Sequence, residues 1–150
     1  MLNLKQELMA KCFEYVETRI RSAENAIISA KEASQDDTKS SAGDKYETTR
    51  EMMQQEISRN EVQLFEARKL KHALMQISID KISETIQNGS IVITDKGNFF
   101  ISVSAGQFTL NTKTFFAISS ASPIGRLLIG LKKGDTFRFN GKEYEVLEVN

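Results

Sequence analysis

Five carboxylates crowd one short polar stretch of this chain: Glu32, Asp36, Asp37, Asp44 and Glu47, interleaved with Lys31, Lys39 and Lys45. Carboxylate oxygens are hard donors, so such a group could offer one or two ligands to Mg²⁺, an ion that keeps open positions for groups held by another macromolecule. The same residues could equally make a solvated turn in which Asp36 or Asp37 ends or caps a helix. Taken alone, the stretch 34–47, SQDDTKSSAGDKYE, fits that turn better. Elsewhere the chemistry is sparse. Cys12 is the only cysteine and His72 the only histidine, which removes a disulfide framework, a Cys/His zinc site and the usual nucleophile–base pairs. Cys12 has no histidine or basic cluster beside it to lower its pKa, so packing is its expected role. His72 reads as a helix-surface or edge residue.

The elements that must hold these acids are legible from periodicity. Met9, Phe13, Val16, Ile20, Ala23, Ile27 and Ala30 alternate spacings of four and three, the seam of a helix packed on a partner helix. After the polar stretch, Met53, Ile57, Leu64, Ala67, Leu70, Leu74 and Ile77 continue a helical stripe, with Asn60 where the seam wants an apolar group and a register slip near Leu70. No Gly or Pro interrupts 1–42 or 44–88, so the only forced break is the stretch itself. Each arm can run about 30 residues, or about 45 Å at 1.5 Å per residue. Ala23, Ala26, Ala30 and Ala33 gather towards the end of the first arm, where they would let the two backbones approach.

Composition changes at Asn88-Gly89. Beyond it SIVIT, NFFISVS, TFFAIS, TFRF and KEYEVLEV are rich in β-branched and aromatic residues and are punctuated by Lys96-Gly97, Ala105-Gly106, Gly134-Asp135 and Asn140-Gly141. The pattern predicts a small antiparallel sheet. Asn140-Gly141 is a two-residue hairpin signal, because both residues tolerate positive φ. One helix interrupts the strands: Ser122 can cap it, Pro123 suits its first turn, and Ile124, Leu127, Leu128 and Leu131 supply an apolar face before Gly134. Phe115 and Phe116 must point to opposite faces of a strand, so one of them could mark an exposed docking surface. The expected fold class is α+β: a long antiparallel coiled-coil hairpin over 1–80 with its bend at about 34–47, a linker over 81–89, and a β domain with one short helix over 90–150.

Twenty acidic and twenty basic residues cancel, so the broad positive field of a phosphate-binding protein is missing and strong direct DNA binding is disfavoured. No apolar run approaches the roughly 18 residues a membrane span needs. The opening MLNLKQELMAKCFEYVETRIRS lacks the ordered regions of a secretory signal, so a cytoplasmic protein without a membrane partner is expected.

Two stretches resemble the Gre-type transcript cleavage factors of bacterial RNA polymerase. Ser122-Pro-Ile-Gly-Arg-Leu-Leu-Ile-Gly-Leu-Lys-Lys-Gly-Asp135 is similar to the family's C-terminal run of Ser-Pro, Gly, a short apolar helix, Gly and then Gly-Asp. Asp37-Thr-Lys39, followed by Ala42 and Tyr46, looks like the family's tip. The resemblance spans essentially the whole chain. It implies an FKBP-like C-terminal domain and an accessory factor rather than an enzyme. The C-terminal domain would dock at the rim of the polymerase secondary channel, with Ser122, Pro123, Ile124, Gly125, Arg126, Lys132 and Lys133 as candidate contacts. The hairpin would then bring its tip near the polymerase active site and the nascent RNA 3′ end. There Asp37, Asp44, Glu47 or Asp36 would help hold an Mg²⁺ that belongs to the polymerase, supported by Lys39, Ser40 and Tyr46, with no metal or cofactor held stably by the factor itself. The departure is at Ser40, which stands where the family carries its second acid; reaching Tyr46 then takes two additional residues. Asp44 or Glu47 could supply that oxygen from the other side of the bend.

Other classes fare less well. A channel-binding regulator of the same architecture that does not stimulate cleavage is the nearest rival, and Ser40 favours it. An independent enzyme lacks a nucleophile–base arrangement. A coiled-coil scaffold for a further helix would need an open seam, whereas the two stripes suit each other. Lys132 and Lys133 also serve as ordinary solvated turn charges, and an FKBP-like outline would not by itself imply prolyl isomerase activity.

Overall fold

The computed structural model describes residues 2–37 and 43–150, with only the backbone of residues 36, 37 and 43–46. The chain forms α1 (Leu2–Asp37), α2 (Gly43–Met75), β1 (Ile91–Thr94), β2 (Gly97–Ser102), β3 (Gly106–Leu110), β4 (Lys113–Ser119), α3 (Pro123–Leu128), β5 (Thr136–Phe139) and β6 (Lys142–Val149). Long helices followed by a sheet with one short helix make it an α+β protein. The residues fall into two units, one of 16–71 and one of 1–15 with 72–150.

In the first unit α1 and α2 pack antiparallel: Arg19 meets Gln63, whereas Ile27 and Ala30, further along α1, pack with Ile57, earlier in α2. The seam residues Val16, Ile20, Ala23, Ile27 and Ala30 of α1 are buried, as are Ile57 and Ala67 of α2. Periodicity locates these helices because a two-helix seam must bury every third or fourth side chain.

In the second unit the six strands run in the order β3-β4-β2-β1-β6-β5. The sheet is mixed rather than purely antiparallel, because β2 and β4 pair in parallel. Residues 103–105 carry the chain past one strand position, so β3 takes the outer edge and β4 returns between β3 and β2. The short β3–β4 hairpin then forces β4 to run with β2. Three two-residue turns join antiparallel neighbours, and two of them have positive φ at both central residues: Asn140 (51°) with Gly141 (77°), and Asn111 (51°) with Thr112 (67°). The first was legible from Asn-Gly. The second uses a β-branched residue in left-handed backbone, a choice propensity argues against. In β6, Glu148 faces Ile93 and Val146 faces Thr94, which leaves Leu147 as the extra residue of a bulge.

The sheet is covered on both faces. Phe99 and Ile101 join Ile86, Val92, Leu128, Phe137 and Val146 in one core, with Ile118, Ile124 and Leu131 packed against it. Phe100 and Ser102 alternate to the other face, where Cys12 Sγ of α1 lies 3.5 Å from Ser102 Oγ. Leu8 and Cys12 are fully buried, and burial pushes the Cys12 thiol up. Cys12 therefore belongs to packing rather than chemistry, although it faces the sheet and not the margin of a helical seam. Lys5, on the same side of α1, is also buried; its ammonium donates to the Lys81 carbonyl at 3.2 Å, and desolvation lowers its pKa. Nothing in the apolar spacing announced that lysine.

Strands β1 and β6 are clipped together by a turn. Asp95 Oδ1 accepts the Glu145 N–H at 2.8 Å, and Lys96 Nζ donates to Asp95 Oδ2 at 2.9 Å and to the Glu143 carbonyl. The Glu145 amide first, and Lys96 second, hold the Asp95 carboxyl below the ordinary carboxylate range. A carboxyl whose folded pKa is depressed stabilises the fold above its unfolded value, and that contribution is lost as pH falls through the folded pKa. Asp95→Asn should therefore flatten the acid limb of the stability profile below about pH 4, as read by urea midpoints across pH, and leave the neutral-pH slope unchanged.

Candidate functional site

Asp36 and Asp37 close α1, and Asp44 is the second residue of α2, with Tyr46 and Glu47 following. Glu47 is exposed. The side chains of Asp36, Asp37, Asp44 and Tyr46, and the whole of Lys39 and Ser40, lie outside the described residues. The helix ends thus bring the four candidate acids to the two sides of one five-residue connection, 38–42. The electrostatics of the two sides differ. The start of a helix carries partial positive charge and favours Asp44 and Glu47, whereas its end carries partial negative charge and disfavours Asp36 and Asp37. No basic residue in the last turn of α1 compensates. Two acids placed against the dipole are more comfortable beside a cation than alone.

The candidate docking residues separate into two kinds. Ser122 is the N-cap of α3: its Oγ accepts the Gly125 N–H at 3.1 Å and donates to the Ser119 carbonyl at 2.7 Å. Pro123 occupies the first turn, where its missing N–H costs nothing. Gly125 and Leu128 are buried, and Ile124 is half-buried against the core. Pro123 and Arg126 are exposed. The helix is shorter than its apolar run suggested, ending at Leu128 with Gly130 at φ 86° instead of continuing towards Gly134. Within the helix Leu127 is 41% exposed, and Ile129 beyond the helix end is 39% exposed. One early glycine at positive φ suffices to stop a helix, and spacing alone could not tell Gly130 from Gly134.

Lys132 and Lys133 lie in a turn closed by Asp135: the Lys132 N–H donates to Asp135 Oδ2 at 2.9 Å, and the Asp135 N–H donates to the Lys132 carbonyl at 3.0 Å. That turn gives the Gly-Asp pair its purpose. Both lysines line a shallow cavity of about 370 Å³ with Glu84, Glu148 and Val149. The pairing of Thr85 with Lys132 brings Glu84 there, a placement sequence could not supply. Of the two adjacent phenylalanines, Phe115 is buried and Phe116 is 40% exposed, its ring centroid 6.0 Å from that of Phe99. His72 is exposed on α2. Among the described residues no group of three or more His, Cys, Asp or Glu side chains is placed to hold a metal ion, and no described helix is long and apolar enough to cross a membrane.

These elements define a class: an α+β protein in which an antiparallel helical pair carries acids at its bend and a six-stranded sheet carries a capped short helix. No family model and no curated protein matches the chain. A solved structure described as that of the transcription factor Gfh1 is 23% identical to it over 91% of this chain and 92% of that one, with a TM-score of 0.36.

Proposed function

We propose that the protein is a transcription elongation factor that enters the secondary channel of bacterial RNA polymerase and stimulates cleavage of backtracked RNA through the carboxylates at its helical bend. The observation that carries this reading is the end of α1: Asp36 and Asp37 sit against the helix dipole with no basic residue in the last turn of α1, and beyond the five-residue connection α2 starts at Gly43 with Asp44 as its second residue. Such a site trades helix stability for negative charge at one place. The Ser122–Asp135 stretch, resembling the Gre-type factors, supports the same reading from the other half of the chain.

Carboxylate oxygens suit Mg²⁺, and a divalent ion between attacking and leaving oxygens stabilises both in phosphodiester hydrolysis. The chain's contribution is to deliver Asp37, and Asp44 or Glu47, to the polymerase's ion. The polymerase keeps the active site, and this factor is an accessory with no resident cofactor. Pro123, Arg126, Lys132 and Lys133 are the exposed members of the docking set, while Ser122 and Gly125 shape the surface that presents them.

The test is transcript cleavage in halted polymerase complexes. Asp37→Ala with Asp44→Ala should slow shortening of the RNA about 10- to 100-fold, the usual cost of losing a group that supports a metal held mainly by others, while binding to polymerase persists. Unchanged cleavage removes both acids from the mechanism. Ser40 favours a second reading, a channel-binding regulator without cleavage stimulation; initiation inhibited by the wild-type protein with no RNA shortening would establish it.

A further inference from the structure

We propose that the helical pair of residues 16–71 opens in two steps, with the layer of Ala23 and Asn60 as the boundary between a segment that separates readily and one that stays packed. On the bend side of this layer Ile27, Ala30 and Ile57 form a small apolar group with Met53. On the other side Val16 and Ala67 are fully buried, and Lys71 pairs with Glu17 at 2.7 Å. The layer itself is polar on the α2 side. Asn60 donates its side-chain amide to the Glu56 carbonyl, one turn back on its own helix, instead of across the seam. A polar notch of about 170 Å³ lined by Arg19, Ser22, Ala23, Asn60 and Gln63 occupies the place of an apolar pair. The contact there from Arg19 to Gln63 is long, at 3.4 Å, and exposed, and the Arg68–Glu24 pair that spans the layer is exposed at 4.0 Å. Exposed pairs of that length contribute little. Leu64, beyond Asn60 along α2, reaches across to that apolar group.

Local opening follows contact density, so a seam interrupted by a polar layer divides into cooperative pieces. A polar residue at a seam position fixes register at a cost in stability, and here that cost falls at one place. The consequence is that residues 24–37 of α1 and 43–59 of α2, which lead to the candidate acids, can separate from each other while 16–22 and 60–71 remain packed. This claim does not depend on the polymerase reading.

Amide hydrogen exchange on the intact protein, at several low urea concentrations, tests it. Residues 27–35 and 47–57 should share one opening free energy, set below that of 16–20 and 64–71 by a step at the Ala23–Asn60 layer. Asn60→Leu should erase the step and raise protection of the first group about tenfold, as should Ala23→Val, which fills the notch from the other helix. Protection that declines smoothly towards the bend, with no step, overturns the proposal. So does a step that persists in both variants.

Discussion

Gly125→Ala is expected to destabilise the sheet-bearing unit by about 3 kcal/mol, a large share of an ordinary domain's margin of about 5–15 kcal/mol. A Cβ at this position would stand 2.0 Å from the Ser119 carbonyl oxygen and 2.9 Å from Ser122 Oγ. The first neighbour is backbone and cannot swing aside. Relief would require moving the whole 119–125 turn, and that movement breaks the Ser122 cap, whose Oγ links Ser119 and Gly125. A cap of this kind is worth about 1 kcal/mol by itself. The measurement is a urea midpoint, with the slope checked so that a change in the unfolded state is not mistaken for a loss of native stability. Arg126→Ala, one residue further on and exposed, supplies the contrast and should stay within about 0.5 kcal/mol of wild type. Equal losses in the two variants would mean that the close approach at Gly125 is not what holds this turn.

Phe100→Ala is expected to cost about 3–5 kcal/mol. Phe100 is fully buried, lies opposite Ile91 on β1 and Ala117 on β4, and sits on the sheet face that Cys12 of α1 also contacts through Ser102. Truncation removes a ring from the centre of the sheet, where strands on both sides prevent collapse into the void. Phe116→Ala removes the same ring from a 40% exposed site and should cost about 1 kcal/mol or less. The pair separates packing from presentation. If the proposed polymerase binding holds, a normally stable Phe116→Ala protein that binds less well would put Phe116 on the docking surface, whereas a Phe100→Ala protein should lose binding only in proportion to its unfolded fraction.

How far the sequence could be read depended on the reach of each interaction. The seam from Val16 to Ala30, the Asn140-Gly141 hairpin and the Ser122 cap were all legible, because each is carried by a short-range pattern along the chain. The parallel pairing of β2 with β4 was not, since it follows from where β3 is placed and not from any residue in β2 or β4. The Asn111-Thr112 turn was missed for a different reason: tertiary pairing overrides the poor fit of threonine to positive φ. Leu127 was expected inside by spacing and is 41% exposed, while Leu128 beside it is buried.

The candidate site divides in the same way. The acids at the bend are visible in sequence by type and by their position between two helical stripes, and the structure adds that Asp36 and Asp37 end one helix while Asp44 and Glu47 begin the next. That difference in dipole environment is a property of helix ends, which composition does not mark. The set around α3 needed the sheet: only packing shows that Gly125 is a point of close approach and that Pro123 and Arg126 face solvent.

By itself the sequence determined two long helices, their mutual seam, a strand-rich second half and the place where acids collect, because hydrophobic period and turn chemistry act between neighbours along the chain. The tertiary structure alone decided the strand order, the burial of Lys5 against the Lys81 carbonyl and the meeting of Glu84 with Lys132 and Lys133, because these join residues tens of positions apart. Contacts of that range are chosen by how whole elements pack, and no local pattern encodes them.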